Sequence, residues 1–285
     1  MSPLHVLVIL SGVVAVTLGL LCLSYRRRLV IALGRDRRYP IPAIALRDFD
    51  ARFEPGPFGT SLDAEVRFLP ELGRVIGGVN ERELWILALL AKGAHCLFEF
   101  GTATGRTAYL WACNAAQDAV VGTITLLPEQ VQVYTGAEGD TEEAARAARE
   151  EGCFGTFLYT GTPVEHRIRQ YFGDSKAFDE SDWRGCCDVV FVDGSHAYSY
   201  VQSDTQKALR MVKPGGVVLW HDYRGKRHIT RDVFRFLNEM HAEFPLVRLS
   251  GTRIVAWRAP SNGVPESARV QNGFSVPPPA RPPRQ

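Results

Sequence analysis

The sequence lacks the paired cysteine spacings that mark dithiol redox and metal-binding motifs. Its six cysteines form no C-x-x-C pair, and several stand in apolar stretches, where free cysteine packs as a small hydrophobe. This pattern predicts reduced, structural thiols and a reducing compartment. Cys186 and Cys187 precede a predicted strand and receive no role. The other cysteines are Cys22, Cys96, Cys113 and Cys153.

The central part of the chain has no excess of positive charge. The net charge is +2, but residues 1–40 carry six arginines against one aspartate, and residues 259–285 carry three arginines against one glutamate. These segments contribute +5 and +2, so residues 41–258 carry about −5. Nucleic-acid-binding domains have the opposite sign. We therefore expect no nucleic-acid partner.

Residues 4–23 contain no Lys, Arg, Asp or Glu. Twenty helical residues span roughly 30 Å, the thickness of a bilayer's hydrocarbon core, and the arginines follow this stretch instead of preceding it. We expect a single-pass transmembrane helix in the inner (plasma) membrane, with the folded part of the chain in the cytoplasm. A cleaved signal peptide or a buried core helix is the alternative.

From Asn80 onward, strand patterns alternate with helix patterns, as in α/β proteins with a parallel sheet. Asn80 and Glu83 have the capping-box spacing at the start of a helix over 79–93. Another helix, interrupted at Pro70, is predicted over Leu62–Ile76. The fold class is α/β: a Rossmann-like, mostly parallel seven-stranded sheet with helices on both faces, preceded by one transmembrane helix. The predicted strands are 95–100, 122–127, 167–175, 187–193, 215–220, and a final antiparallel pair, 245–250 and 252–258.

A glycine-rich turn, "EFGTATGRT" (99–107), connects a predicted strand to a predicted helix. It has no lysine, which a P-loop requires, and Gly101 and Gly105 make G-x-x-x-G instead of the dinucleotide-binding G-x-G-x-x-G. Glycines in such a turn are often only structural. Glu99 indicates more, because an anion at a strand end repels phosphate but suits a ligand with an ammonium or sulfonium charge.

Five motifs in a fixed order carry a family resemblance. Together they resemble the class I S-adenosylmethionine-dependent methyltransferases, in particular the branch of the macrocin-type sugar O-methyltransferases, with the catechol-type enzymes more distant. The resemblance covers roughly residues 60–258 and implies S-adenosylmethionine as the cofactor. The motifs are E-x-G-x-x-x-G (99–105), GDS (173–175), FVDGSHAY (191–198), LRMVKPGG (209–216) and LWHDY (219–223).

The resemblance also implies the cofactor-binding residues. Such enzymes usually hold the ribose with an acid at the end of the second strand, where this chain has Leu127, so Glu129 is the substitute we consider. Asp174 and Ser175 match positions that flank the adenine. The residues assigned to the cofactor are Glu99, Gly101, Thr102, Ala103, Gly105, Glu129, Asp174, Ser175 and Asp193.

Two pairs of residues, Asp193 with His196 and His221 with Asp222, follow adjacent predicted strands. Parallel strands lie about 4.8 Å apart, so these side chains can converge. In the related enzymes the matching positions hold a divalent cation, which implies a Mg or Mn site on Asp193, His221 and Asp222; an imidazole there also admits Fe²⁺ or Zn²⁺. His196 and His221 are the candidate catalytic bases. The alternatives are a simple His221–Asp222 pair and a structural His196.

The resulting hypothesis is methyl transfer to a hydroxyl of a small molecule, sugar or lipid, by an enzyme that uses its membrane segment at 4–23 as an anchor. Its domains are the anchor at 1–25, a basic linker at 26–58, the methyltransferase domain at 59–258 and a disordered Pro-rich tail at 259–285. An oligomer is compatible with the sequence. The alternatives are a catalytically degenerate, membrane-tethered binding module and, more distantly, a glycosyltransferase.

Overall fold

The computed structural model describes residues 3–32, 39–57, 59–60, 64–69, 78–133, 140–152, 154–225 and 229–262. The helices are α1 (Pro3–Ala32), α2 (Leu46–Phe49), α3 (Glu81–Ala91), α4 (Arg106–Asn114), α5 (Pro128–Val133), α6 (Glu142–Glu151), α7 (Tyr198–Met211) and α8 (Arg231–His241). The strands are β1 (Ala43–Ile44), β2 (Pro55–Gly56), β3 (Gly59–Thr60), β4 (Cys96–Phe100), β5 (Val120–Thr125), β6 (Ile168–Phe172), β7 (Cys187–Val192), β8 (Val212–Trp220), β9 (Val247–Leu249) and β10 (Val255–Arg258).

Eight strands form the main sheet, in the order β1-β9-β10-β8-β7-β4-β5-β6. The five strands from β8 to β6 in this order are parallel, whereas β10 is antiparallel to both β8 and β9. The prediction of a Rossmann-like α/β fold with a mostly parallel sheet is therefore confirmed. The predicted number of seven strands is wrong, because Ala43 and Ile44 pair in parallel with β9 and extend the sheet at its edge.

The two faces of the sheet are covered by separate layers of apolar side chains. Alternate strand residues point to opposite faces, so Leu97 and Phe191 join one core cluster, with α3 and α4, while Phe98 and Val190 join the other, with α7 and α8. Burial on both faces explains why β4, β7 and β8 read as continuous apolar runs. The polar residues that follow these strands then emerge together at one end of the sheet.

Strand order reverses beside β4. The chain places β5 and β6 on one side of β4, and then β7 and β8 on the other. Open α/β sheets bind ligands at the carboxyl ends of their strands, at the point where this reversal occurs. Gly101, Asp193 and His221, which directly follow β4, β7 and β8, lie at that point.

Several predicted elements are confirmed in detail. Asn80 and Glu83 form a reciprocal capping box at the start of α3, and β9 and β10 form the expected antiparallel pair. The helix predicted over Leu62–Ile76 is wrong where it can be assessed, since residues 65–69 have no helical conformation. The rest of that predicted helix lies largely outside the described residues. Residues 263–285 of the predicted tail also lie outside them.

The N-terminal helix α1 extends beyond the predicted anchor, from Pro3 through Arg26–Arg28 to Ala32. Its side chains over residues 12–26 are exposed. Across the described parts of the chain, no helix has both the length and the apolar character that crossing a membrane requires. The predicted transmembrane helix is therefore not supported.

Candidate functional site

The turn after β4 has an unusual backbone. Gly101, Ala103 and Gly105 all have positive φ angles, of 100°, 43° and 77°, a region that glycine adopts without steric cost. A Cβ on Gly101 would lie 2.2 Å from the carbonyl oxygen of Asp193. Glycine at this position therefore lets the turn after β4 pack directly against the end of β7.

The same turn leaves the N-terminus of α4 open. Its N-cap is Gly105, which has no side chain to accept a hydrogen bond from the first turn of the helix. The free backbone N–H groups and the helix dipole make such an end attractive to anions. Arg106, the first residue of α4, adds a positive charge and lines the larger of the two cavities described below.

Glu99 is a buried acid at the end of β4, only 2% exposed. The Thr123 hydroxyl donates to Glu99 Oε2 at 2.9 Å, and Thr123 is itself 2.8 Å from the Thr102 hydroxyl. Burial raises the pKa of Glu99 to about 8, and the nearby Asp193 carboxylate contributes in the same direction. At neutral pH Glu99 is therefore mostly protonated, and a bound cation would favour its ionised form.

A cavity of about 430 Å³ opens at this end of the sheet. That volume lies in the range of small-molecule sites, roughly 300–1,000 Å³. The cavity brings together the glycine-rich turn and the polar cluster that follows β7 and β8. Its lining includes Glu99, Gly101, Asp193, His196, His221 and Asp222.

A second, smaller cavity shares Gly101, Ala103 and Asp193 with the first. Ser175 lines this second cavity, together with Asp204. Asp204 is 1% exposed, and its Oδ1 has no hydrogen-bond partner among the described residues. Burial raises the pKa of Asp204 to about 7. An acid with an unsatisfied buried oxygen beside a cavity is suited to accept a hydrogen bond from a ligand.

Three residues assigned to the cofactor (Gly105, Glu129 and Asp174) line neither of these cavities. Glu129 is an exposed residue of α5 and lines neither of them. Asp174 accepts a hydrogen bond from the Tyr200 hydroxyl at 3.2 Å and holds the backbone N–H of Lys176 at 2.9 Å. Asp174 is thus a neighbour of the lining residues Ser175 and Tyr200, and it shapes the wall of the smaller cavity.

His221 is enclosed between two carboxylates. Its Nδ1 lies 2.8 Å from Asp193 Oδ1, and its Nε2 lies 3.3 Å from Glu83 Oε2. Burial alone would lower the pKa of His221, but Asp193, Glu83 and Asp222 outweigh it and raise the pKa to about 10. His221 is therefore a charged imidazolium at neutral pH that donates from both nitrogens, so it offers no basic nitrogen for proton abstraction.

Asp222 is held in a left-handed conformation, with φ of 56°. This geometry is uncommon for a residue other than glycine. Its carboxylate meets three cationic or polar groups: Arg224 Nε at 2.8 Å, Arg253 Nη1 at 2.9 Å and His196 Nε2 at 3.1 Å. Burial raises the pKa of Asp222, but His196, His221 and Arg253 more than offset it and lower the pKa to about 2.

The Asp222 contact also sets the tautomer of a neutral His196. The carboxylate accepts, so Nε2 carries the proton and Nδ1 is the basic nitrogen. Such a carboxylate–imidazole pair orients the ring for proton abstraction. His196 is buried and lines the larger cavity, which places it where a ligand can be reached.

A divalent cation would find its ligands on Asp193, His196 and Asp222. One ligand atom from each lies within 4.8 Å of the others, and two carboxylates with an imidazole suit Mn²⁺, Fe²⁺ or Zn²⁺ better than Mg²⁺. Both ring nitrogens of the predicted ligand His221 face carboxylates, and His221 lies outside this group of ligand atoms. The structure thus groups His196, and not His221, with the two predicted aspartates.

Several residues of the site were given no functional role from the sequence, among them Glu83, Arg253 and Asp204. Glu83 was recognised only as a helix cap, yet it accepts from Arg253 at 2.8 Å and faces His221. Arg253 comes from the start of the last strand region, 170 residues later. Asp204 lies on the buried side of α7 with Tyr200 and Ala208. The sequence did contain a signal for Asp204, because this acid stands four residues from both Tyr200 and Ala208 and so shares their buried helix face.

Comparison with known proteins gives one family match. A family model described as a methyltransferase domain matches residues 98–223, and no curated protein matches the chain. Similar solved structures include the O-methyltransferase TomG from Streptomyces achromogenes with SAM (16% identity, 64% of this chain and 81% of that chain, TM-score 0.42). Another is an O-methyltransferase from Bacillus cereus with SAH (18% identity, 64% of this chain and 83% of that chain, TM-score 0.41). A third is a methyltransferase from Geobacter sulfurreducens (15% identity, 68% of this chain and 91% of that chain, TM-score 0.45).

The charged contacts among Glu83, His221, Asp193 and Arg253, called here the Glu83 network, predict a specific effect of Glu83→Gln. Loss of this buried charge leaves the Arg253 guanidinium and the His221 imidazolium undercompensated, so we expect a loss of about 3–5 kcal/mol in the free energy of unfolding. The pKa of the Glu83 carboxyl is lowered from its ordinary value of 4.5 to about 2. The stabilisation by the Glu83 carboxylate is therefore fully present above pH 4.5 and is lost as the pH falls toward 2. The measurement is urea unfolding at pH 7 and pH 3.

The matched control is Glu81→Gln, an exposed acid in the same turn of α3. Its effect should stay within about 0.5 kcal/mol. NMR titration of the His221 ring should also give a lower pKa in Glu83→Gln than in the parent. Equal stability of the two variants would contradict the network.

Proposed function

We propose that this chain, an S-adenosylmethionine-dependent methyltransferase with its methyltransferase domain over residues 98–223, transfers the methyl group to a hydroxyl of a small molecule, sugar or lipid. The observation that carries this proposal is the pairing of a buried acid, Glu99, with the open N-terminus of α4 in one cavity. The methionine part of the cofactor is a zwitterion and needs both kinds of partner.

The ammonium group of the methionine part is assigned to Glu99. A protonated Glu99 loses its proton when a cation binds beside it, because the new charge offsets the cost of a buried carboxylate. The carboxylate group is assigned to the N-terminus of α4, where backbone N–H groups and Arg106 offer positive charge. Gly101, Thr102, Ala103 and Gly105 supply the backbone of this cradle.

The nucleoside part is assigned to the smaller cavity. Ser175 and Asp204 can each form hydrogen bonds with ribose or adenine there, and Gly101, Ala103 and Asp193 connect this cavity to the larger one. Leu127 at the usual ribose position is 39% exposed. The exposed position of Glu129 does not favour it as the substitute, so Asp204 is the acid that we propose instead.

Methyl transfer requires the acceptor oxygen, the methyl carbon and the sulfur to lie in line. The larger cavity has room for an acceptor beside the glycine-rich turn, and His196 borders it. We propose that His196 accepts the hydroxyl proton at Nδ1 while Asp222 holds Nε2. His221 acts as a fixed positive charge that positions Asp193.

A divalent cation on Asp193, His196 and Asp222 is the second candidate, favoured by the close spacing of their ligand atoms. Such an ion would polarise the acceptor hydroxyl and lower its pKa. It would compete with Arg224 and Arg253 for Asp222. Three carboxylates (Glu83, Asp193 and Asp222) already meet three cationic groups (His221, Arg224 and Arg253) here, so we favour the His196 mechanism.

The first prediction for this function concerns proton release. When S-adenosylmethionine binds at pH 7, ionisation of Glu99 should release close to one proton, because its pKa in the free protein is raised to about 8. Isothermal titration in two buffers with different ionisation enthalpies measures this number. Glu99→Gln should release no proton at this site and should bind more weakly by about 1–3 kcal/mol.

Glu81→Gln is the control, since it removes an exposed acid outside both cavities. It should keep the proton release and affinity of the parent. Equal proton release by Glu99→Gln and the parent would refute the assignment of the ammonium group. Absence of any binding heat from the parent would favour the degenerate binding module instead.

The second prediction separates the two candidate mechanisms. His196→Asn should reduce turnover by about 10²–10⁴-fold, the usual contribution of a general base, while cofactor affinity is retained. His166→Asn, at an exposed position, should have no effect. Turnover is measured as S-adenosylhomocysteine formation by the full chain with pooled metabolites as acceptors.

Chelator treatment completes this test. The chelated enzyme should keep its turnover if His196 acts without a metal ion. Loss of turnover on chelation, with recovery on addition of Mn²⁺, would replace this mechanism with the cation-assisted one. In that case Asp193→Asn should abolish the recovery.

We also propose that the chain attaches to the inner (plasma) membrane through its N-terminal segment, with the methyltransferase domain on the cytoplasmic side. The side chains of Leu18, Leu20, Leu21 and Leu23 on α1 are more than half exposed, and large exposed apolar surfaces are usually covered by lipid or protein. The arginines after this segment favour the cytoplasmic side.

Substitution of Leu20 and Leu21 by lysine should move the protein from the membrane fraction to the soluble fraction, because it replaces exposed apolar side chains, whose burial in lipid favours attachment, by charged ones. The exposed Leu127→Lys is the control and should leave the distribution unchanged. A reporter fused after Gln285 should face the cytoplasm. A mature chain beginning near residue 24 would refute the attachment.

A further inference from the structure

Three cysteines converge at the end of the sheet opposite the cofactor cavities. Cys96 opens β4 and Cys187 opens the adjacent β7, with Cys186 directly before it. The Cys96 sulfur lies 3.1 Å from the Cys186 sulfur and 3.6 Å from the Cys187 sulfur. All three sulfurs lie within 4.8 Å of one another, so they form a single cluster.

The backbone at the start of β7 explains how two consecutive cysteines reach one point. Successive residues of a regular strand point to opposite faces, but the pairing of β7 with β8 shifts register between Cys187 and Val189. Cys186 itself lies outside the strand, and its sulfur is 3.1 Å from the Trp183 carbonyl oxygen. Both sulfurs can therefore turn toward Cys96.

The cysteine cluster is fixed from one side and open on another. Asp188 accepts the backbone N–H of Cys96 at 3.0 Å and that of His95 at 2.9 Å, and it also forms an ion pair with Lys213. These contacts hold the start of β4 against β7. Cys187 is buried, Cys96 is half-buried and Cys186 is exposed, which gives an ion a route from solvent.

The sulfur spacing suits a shared metal ion better than a disulfide. A disulfide has an S–S distance of about 2.05 Å and uses two sulfurs, which would leave the third thiol of the cluster without a function. Two sulfurs bound to one tetrahedral Zn²⁺ at about 2.3 Å are roughly 3.8 Å apart. The observed distances of 3.1 and 3.6 Å need only small side-chain rotations to reach that value.

We propose that Cys96, Cys186 and Cys187 bind one thiophilic metal ion, of the Zn²⁺ or Cu⁺ class. Thiolates select these ions over Mg²⁺ or Ca²⁺. Each thiol that becomes a ligand releases its proton to the buffer, and no electron is transferred. Water completes the coordination of Zn²⁺ on the exposed side.

This site is independent of the proposed methyl transfer. Cys96 opens β4 and Gly101 directly follows it, so at about 3.3 Å per residue the two are roughly 17 Å apart. The metal would cross-link the starts of β4 and β7, the two strands whose far ends carry the glycine-rich turn and Asp193. Its loss should leave cofactor binding measurable, which keeps the two proposals separately testable.

The test uses the full chain, reduced and chelator-treated under anaerobic conditions, and Co²⁺ as a spectroscopic substitute for Zn²⁺. We expect one equivalent of Co²⁺ to produce thiolate-to-metal charge-transfer absorption, and one equivalent of Zn²⁺ to displace it. A parallel titration with Cu⁺ and metal analysis of the protein as isolated identify the preferred ion. Cys186→Ser should weaken binding by more than roughly 100-fold, since loss of an outer-shell partner alone costs 10–100-fold.

Cys113→Ser is the matched control, because Cys113 is a free cysteine on α4 outside the cluster. It should bind Co²⁺ like the parent, and Cys186→Ser should keep the parent's circular dichroism and heat of S-adenosylmethionine binding. Absence of charge-transfer absorption in the reduced parent would overturn the proposal. So would a Cys96–Cys186 disulfide in protein alkylated directly on lysis, or equal weakening by Cys113→Ser.

Discussion

The imidazolium of His221 between Asp193 and Glu83 is the interaction on which the candidate site depends. It connects the ends of β7 and β8 to α3, and Arg253 extends the same network to the turn before β10. A buried charge is costly without partners, and each charge here has at least one. The fold can therefore place ionised groups at the wall of a cavity without losing its order.

This network gives the two histidines different roles in the site. His221 has both nitrogens engaged and acts as a fixed cation, whereas the His196 ring is oriented by Asp222 at the cavity wall. Their sequence positions, each beside an aspartate or one turn from it, gave no reason to distinguish them. The difference comes from Glu83, which reaches only one of the two rings.

Local patterns were sufficient to predict most of the fold. The capping box of Asn80 and Glu83, the buried runs of β4, β7 and β8, and the β9–β10 pair all depend on neighbours in the chain or on burial. The edge strand at Ala43–Ile44 was missed because two residues carry no periodicity and pair only through β9. Glu83 and Arg253 meet across 170 residues, a separation that no local pattern reports.

The left-handed backbone at Asp222 limits the routes by which this site can change over evolutionary time. Among residues other than glycine, Asn and Asp tolerate that conformation best. Substitution at this position by a β-branched or bulky residue would require the loop after β8 to rearrange. Lineages that lose the negative charge while keeping the scaffold should therefore pass through Asn or Gly here, so homologous chains with either residue are the natural place to look for relatives that bind without catalysing.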